Sequence, residues 1–183
     1  MKKIAALILT GILAFGCFST AFAAETKVSV DGVPVVFTDA KPFVDENGRT
    51  MVPLRPIADA MGLQVGWIQE QQMAIFGAEL PLDFFFDYFD FESAHNITKE
   101  GLVKVVENVY FTMGEERVVA TFDAFYENDK VEADSAEDYM DTVPVVKDGR
   151  TYAPARYLAE AFGYDVGWEK ENSTVTVKNY RMQ

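Results

Sequence analysis

Cysteine occurs once, at Cys17, and histidine once, at His95. An intrachain disulfide is therefore unavailable, and a mononuclear copper or zinc site lacks the imidazole and thiolate donors it needs. His95, just before Asn96, is expected in a loop. With no nucleophile-elbow sequence in the chain it supports no Ser-His-Asp arrangement. Basic residues are also scarce, 16 against 29 acidic ones for a net charge of −13. Nucleic acid is disfavoured as a partner, because its recognition rests on Lys and Arg neutralising phosphates. Long apolar runs are few. One stretches from Ile4 to about Phe18 behind Met1-Lys2-Lys3, but Thr10, Gly11 and Gly16 interrupt it, and a membrane span requires about 20 apolar residues.

Small residues at Ala21 and Ala23 complete the pattern of a secretory signal cleaved near Ala23, which predicts a secreted or cell-surface protein with no stable membrane span. Gly16-Cys17 raises N-terminal lipidation, yet Leu13 lies four residues upstream instead of three and Phe15 is bulky. Signal removal takes Lys2 and Lys3, so 14 basic residues face 29 acidic ones and the net charge becomes −15. The remaining 160 residues are cysteine-free. They depend on a hydrophobic core, for which that length suffices.

Against these shortages stands a repeat. Eleven of the twenty residues from Gly48 to Trp67 recur without a gap from Gly149 to Trp168. Gly-Arg-Thr-x-x-Pro-x-Arg opens both copies and Val-Gly-Trp closes both, so one supersecondary unit is used twice. Around the first copy, Val28, Val30, Val33, Val35 and Phe37 alternate about Asp31-Gly32, which predicts a hairpin, and Phe43-Val44 a further short strand before the turn at Asn47-Gly48. Residues 49–52 are expected to be extended ahead of Pro53. Ile57, Ala58 and Met61, like Leu158, Ala159 and Phe162, have helical spacing, with Gly62 and Gly163 placed to end each helix. Pro56, where the second copy has Tyr157, predicts that the first helix starts late or lacks a bond in its first turn. Strands Met73 to Phe76 and Thr174 to Lys178 close the units.

The middle is less legible. Leu82 to Glu92 fits a helix by its aspartates and a strand by its aromatics. Thr98 to Val109 is expected to be a helix with Leu102, Val106 and Val109 inward, although its valines also tolerate a strand. Two strands, Val109 to Met113 and Arg117 to Phe122, are predicted around Gly114-Glu115-Glu116, and Tyr126 to Val131 reads as a degraded copy of the first hairpin. The fold class is α+β: two repeated units of short antiparallel strands with one short helix each, at 24–78 and 109–183, plus a central insertion at 79–108, helical in part.

The repeated motif, with its Gly, Arg, Pro, Arg, Gly and Trp at fixed spacing, resembles the copper amine oxidase N-terminal domain family, also called the stalk domain. The resemblance implies a secreted or surface module with no general activity and no cofactor, since in the oxidases metal and quinone lie in a separate catalytic domain. Adhesion, assembly or ligand binding at the cell envelope is the expected role, with a cell-wall glycan or another surface protein as partner. The competing class is a secreted hydrolase using carboxylates of the middle segment, whose pairing cannot be read among so many acids.

Candidate site residues fall into three groups. Arg49, Arg55, Arg150 and Arg156 could form an anion site with helix N–H groups. The alternative, and the expectation, is that Arg55 pairs with Asp59 and Arg156 with Glu160 while Arg49 and Arg150 brace turns. Trp67 and Trp168 could stack on sugars, but a Trp in a strand beside a short helix is expected in the core. Phe84, Phe86, Tyr88 and Phe89 belong to a run that either wedges between the units or meets a partner through an apolar centre with a charged rim. Neither Asp83, Asp87 and Asp90 nor Asp134, Glu137 and Asp138 follow a calcium-loop spacing, leaving at most weak calcium binding.

Overall fold

The computed structural model describes residues 26–88, 97–127 and 129–179. Strands carry 52% and helices 13%, an α+β chain dominated by antiparallel pairing. The first copy contributes β1 (Lys27–Val30), β2 (Val33–Pro34), β3 (Phe43–Val44), β4 (Thr50–Pro53), α1 (Leu54–Ala60), β5 (Gln64–Ile68) and β6 (Met73–Leu80). The middle contains α2 (Leu82–Tyr88), β7 (Leu102–Thr112), β8 (Arg117–Tyr126) and β9 (Lys130–Tyr139). The second copy follows with β10 (Val145–Lys147), β11 (Arg150–Pro154), α3 (Ala155–Ala161), β12 (Tyr164–Glu169) and β13 (Thr174–Asn179).

The copies do not stand apart. In the sheet β10-β11-β4-β3 the repeated strands pair with each other, antiparallel, with Ala153 opposite Val52, Tyr152 opposite Pro53 and Pro154 opposite Met51. Val52 and Ala153 are equivalent residues of the two copies, so the pairing runs through a local twofold axis, which also sets α1 against α3. A second sheet, β12-β13-β1-β2, joins β1 of the first copy parallel to β13 of the second. Both copies fill one core: Val28, Val30, Leu54, Ile57, Leu158, Phe162, Val175 and Val177 form a single buried cluster.

The twofold breaks at the third sheet, β5-β6-β7-β8-β9, where the long β7 adds to β6 antiparallel, in contrast to the parallel β1–β13 pair. The expected helix at Thr98 to Val109 is thereby corrected. Val105, Glu107, Val109 and Phe111 are buried in alternation with half-buried neighbours, the period of two that a strand requires. The predicted strands at 109–113 and 117–122 are parts of longer ones, and Tyr126 ends β8 while Lys130 and Val131 begin β9, paired with Phe125 and Ala124, instead of copying β1–β2. Leu82–Tyr88 is helical, and Phe85, fully buried, anchors α2 on the face of the third sheet with Leu80, Val105 and Phe122.

Of the two expectations for Pro56, the late start fails, since α1 begins at Leu54 as α3 does at the equivalent Ala155. Pro56 sits within the first turn, where a backbone N–H has no partner inside the helix. Asp31-Gly32 and Asp148-Gly149 have positive φ throughout (48° and 79°, 50° and 71°), the turn that matches strand twist in a two-residue hairpin. The equivalent turn after β3 is one residue longer, with Asp45 Oδ1 accepting the N–H groups of Asn47 (3.0 Å) and Arg49 (2.7 Å).

Candidate functional site

That extra turn residue shifts the alignment of the segments before it, so that Asp39-Ala40-Lys41-Pro42 corresponds to Asp141-Thr142-Val143-Pro144. The correspondence accounts for the arginines. Arg49 of the first copy binds Asp141 of the second (Nε to Oδ2, 2.7 Å), and Arg150 of the second binds Asp39 of the first. These reciprocal ion pairs bridge the copies. Around Asp141 the network is complete: Arg156 donates to its Oδ2 (2.8 Å) and to the Tyr157 hydroxyl (2.6 Å). That hydroxyl donates to Asp141 Oδ1 (3.0 Å) and accepts from the Asp141 N–H (2.9 Å). Thr142 Oγ1 donates to Asp45 Oδ2 at 2.8 Å and ties in the turn.

Burial pushes the Asp141 carboxyl up, but the Tyr157 hydroxyl and the charges of Arg156 and Arg49 outweigh it and hold the pKa below the usual carboxylate range. Asp39 is lowered chiefly by the Arg150 hydrogen bond and Asp45 by the Arg49 N–H. A carboxyl depressed on folding adds stability that is complete above its unfolded value of about 3.9 and vanishes as pH falls through the folded one. Urea midpoints measured from pH 5 to pH 2 should therefore fall, and Asp141→Asn should lower the pH 5 midpoint while flattening that decline. An unchanged slope in the variant would show that the Asp141 network carries none of it.

The expected helical pairs do not form. Arg156 turns to Asp141 and Tyr157 instead of Glu160, and the side chains of Arg55 and Asp59 have no ion pair or hydrogen bond among the described residues. An arginine placed before its acid is the weaker i,i+4 orientation. Arg55 is the exception among the four arginines, and the second copy shows why. Its mate Arg156 is held by Tyr157 and Asp141, although Asp141 also binds Arg49; in the first copy Asp39 is engaged by Arg150 in the same way, but Pro56 replaces the tyrosine whose hydroxyl joins arginine to aspartate.

Where the tyrosine ring is missing there is a cavity of about 680 Å³. Leu54, Val65, Ala74 and Phe76 form its floor, and Arg55, Asp59 and Trp67 its rim together with the Arg150–Asp39 pair. Trp67 is correspondingly not in the core: it is 38% exposed, with its indole N–H donating to Gln69 Oε1 at 3.0 Å. Trp168 is 52% exposed. The expectation of buried tryptophans fails because a seven-residue helix is only about 10 Å long. Trp67 is the fourth residue of β5 and Trp168 the fifth of β12, and a strand rising about 3.3 Å per residue carries them to the end of that cover or past it.

Phe84 lines a second cavity, of about 620 Å³, between Met61 and Leu63 of the first copy and Phe162 and Tyr164 of the second. Phe86 is half-buried, edge-on to Phe85 at 5.2 Å and beneath the Lys99 ammonium. Tyr88 ends α2, while Phe89 and His95 lie outside the described residues. The run thus packs largely on the third sheet, with Phe84 alone among its placed side chains reaching the junction of the copies.

Residues 29–92 and 107–182 match the copper amine oxidase N-terminal domain family. The chain belongs to this family. Two matched segments agree with two copies of the module, and the family is a non-catalytic domain of amine oxidases. No curated protein and no solved structure matches the chain. Copper does not fit the family member at hand: among the described residues no three His, Cys, Asp or Glu side chains gather around one point, and the whole chain supplies a single imidazole and a single thiol. Among those residues no helix is long and apolar enough to cross a membrane. Sequence reading missed Asp39, Asp141 and Tyr157, although the recurrence of Asp-x-x-Pro ahead of each copy was available to find the two aspartates.

Proposed function

We propose that this is an exported, non-enzymatic module of the cell envelope, cleaved near Ala23, in which two stalk-type units, each with its own short helix, act in adhesion, assembly or ligand binding. One observation carries the reading: the cavity in the first copy, of a size suited to a small ligand or a chain end, has at its rim a half-exposed Trp67 and an Arg55 that has no partner among the described residues. Its partner is a cell-wall glycan or another surface protein, and the net negative charge argues against nucleic acid.

The competing hydrolase has one supporting observation. Glu107, 1% exposed, lines a smaller cavity of about 260 Å³ with Glu137, Asp138 and Glu160. Purified protein lacking residues 1–23 should retain wall glycan or envelope peptides on a column, and Trp67→Ala should reduce that retention. Turnover of wall glycans, peptides or esters that disappears in Glu107→Gln would replace binding with hydrolysis.

A further inference from the structure

The cavity in the first copy has a chemistry of its own, apart from the question of whether the protein binds something. Its floor is made of Leu54, Val65, Ala74 and Phe76, which offer aliphatic and aromatic surface and no side-chain hydrogen-bond partner. At its rim Arg150 is committed to Asp39, so among the described residues the cation left there for a ligand is Arg55. Asp59, four residues on and also without an ion pair among the described residues, offers an acceptor. One guanidinium beside an apolar floor suits a single carboxylate attached directly to an apolar group, because the fork of Arg meets a carboxylate with two parallel hydrogen bonds. A sugar could pair some hydroxyls with Thr38, Thr151 and Asp59 of the lining, but those set against the floor would go unpaired, at a desolvation cost.

Resting on the binding reading above, we propose that this cavity receives the carboxyl terminus of a peptide: the terminal carboxylate on Arg55, the last apolar side chain on the floor under Trp67, and the preceding N–H groups toward Asp59. The second copy supplies the control. There Tyr157 occupies the corresponding position, binds Arg156 and Asp141 and is itself 9% exposed, so the equivalent arginine is already satisfied. The site exists in one copy because one residue differs, Pro56 against Tyr157.

The test uses the protein without residues 1–23, with Trp168→Phe so that Trp67 fluorescence reports alone. The probes are N-acetyl-Gly-Gly-Leu with a free carboxylate, its C-terminal amide, and chitotetraose. The free acid should bind and shift Trp67 emission, while the amide and Arg55→Gln should each weaken binding by about tenfold or more, as loss of a charge-assisted pair implies. Pro56→Tyr should abolish binding without lowering the unfolding temperature, because a tyrosine there reproduces the filled arrangement of the second copy. Arg55→Gln, an exposed substitution, keeps the test decisive if Pro56→Tyr folds poorly. Equal affinity for acid and amide would overturn the proposal. Binding of chitotetraose alone, lost in Pro56→Tyr, would keep the cavity as a ligand site and overturn the carboxylate assignment. Absence of binding by all three probes would overturn it too, leaving retention on wall material to decide the broader reading.

Discussion

Neither half of this chain is expected to fold alone. A fragment of residues 24–78 or 109–183 should show no cooperative urea transition as a monomer and poorly dispersed amide resonances. The cause is the exchange of strands across the twofold. β1 of the first copy hydrogen-bonds along its whole length to β13 of the second, and β4 pairs with β11. Cutting between the copies strips one side of Val28, Val30, Val52, Val175 and Val177, all 8% exposed or less in the intact chain. Each such side chain contributes about 1.5–3 kcal/mol when fully buried. The three in the first fragment are worth up to about 5–9 kcal/mol and the two in the second up to about 3–6 kcal/mol, each a large part of a domain's stability of about 5–15 kcal/mol. The broken ion pairs Arg49–Asp141 and Arg150–Asp39 add little, since both are half-exposed. Self-association of the first fragment through Val52 against a second Val52 would reproduce the twofold with another molecule. A folded, monomeric fragment with a cooperative transition would contradict the shared core.

What could be read from the sequence was local. Asp31-Gly32 and Asp148-Gly149 announced their hairpins because only residues that tolerate positive φ close a two-residue loop. Gly62 and Gly163 announced the ends of α1 and α3 for the same reason, with φ of 74° and 73°. The repeat announced two copies of one module. It could not announce that they interlock, because the parallel pairing of Lys27 with Thr174 joins segments whose own patterns are complete without each other. Thr98 to Val109 misled because valine spacing satisfied two periods at once, and the choice fell to a neighbour: β6, with an edge that β7 could extend. The candidate site was hidden differently. Each arginine was visible, but which of them would remain unpartnered depended on Asp39 and Asp141 reaching across the axis and on one tyrosine absent from the first copy.

That absence links folding to function, since the same asymmetry that opens the cavity leaves Phe76 as its floor and as a pillar of the core. Phe76→Ala should cost about 3–5 kcal/mol, the range for truncating a buried aromatic. Phe76 is 1% exposed and meets Phe111 edge-on at 5.7 Å, so the truncation also removes an aromatic pair that joins β6 to β7. Trp67→Ala and Trp168→Ala, at 38% and 52% exposure, should stay within about 1 kcal/mol of the parent. Urea unfolding of the three variants at pH 7 measures the contrast directly. If Phe76→Ala leaves the midpoint nearly unaltered while either tryptophan variant collapses, the repeated Val-Gly-Trp would be core after all and the cavity would lose its rim. If the order holds, the tryptophan above the cavity is free to meet a ligand because the phenylalanine beneath it sustains the fold.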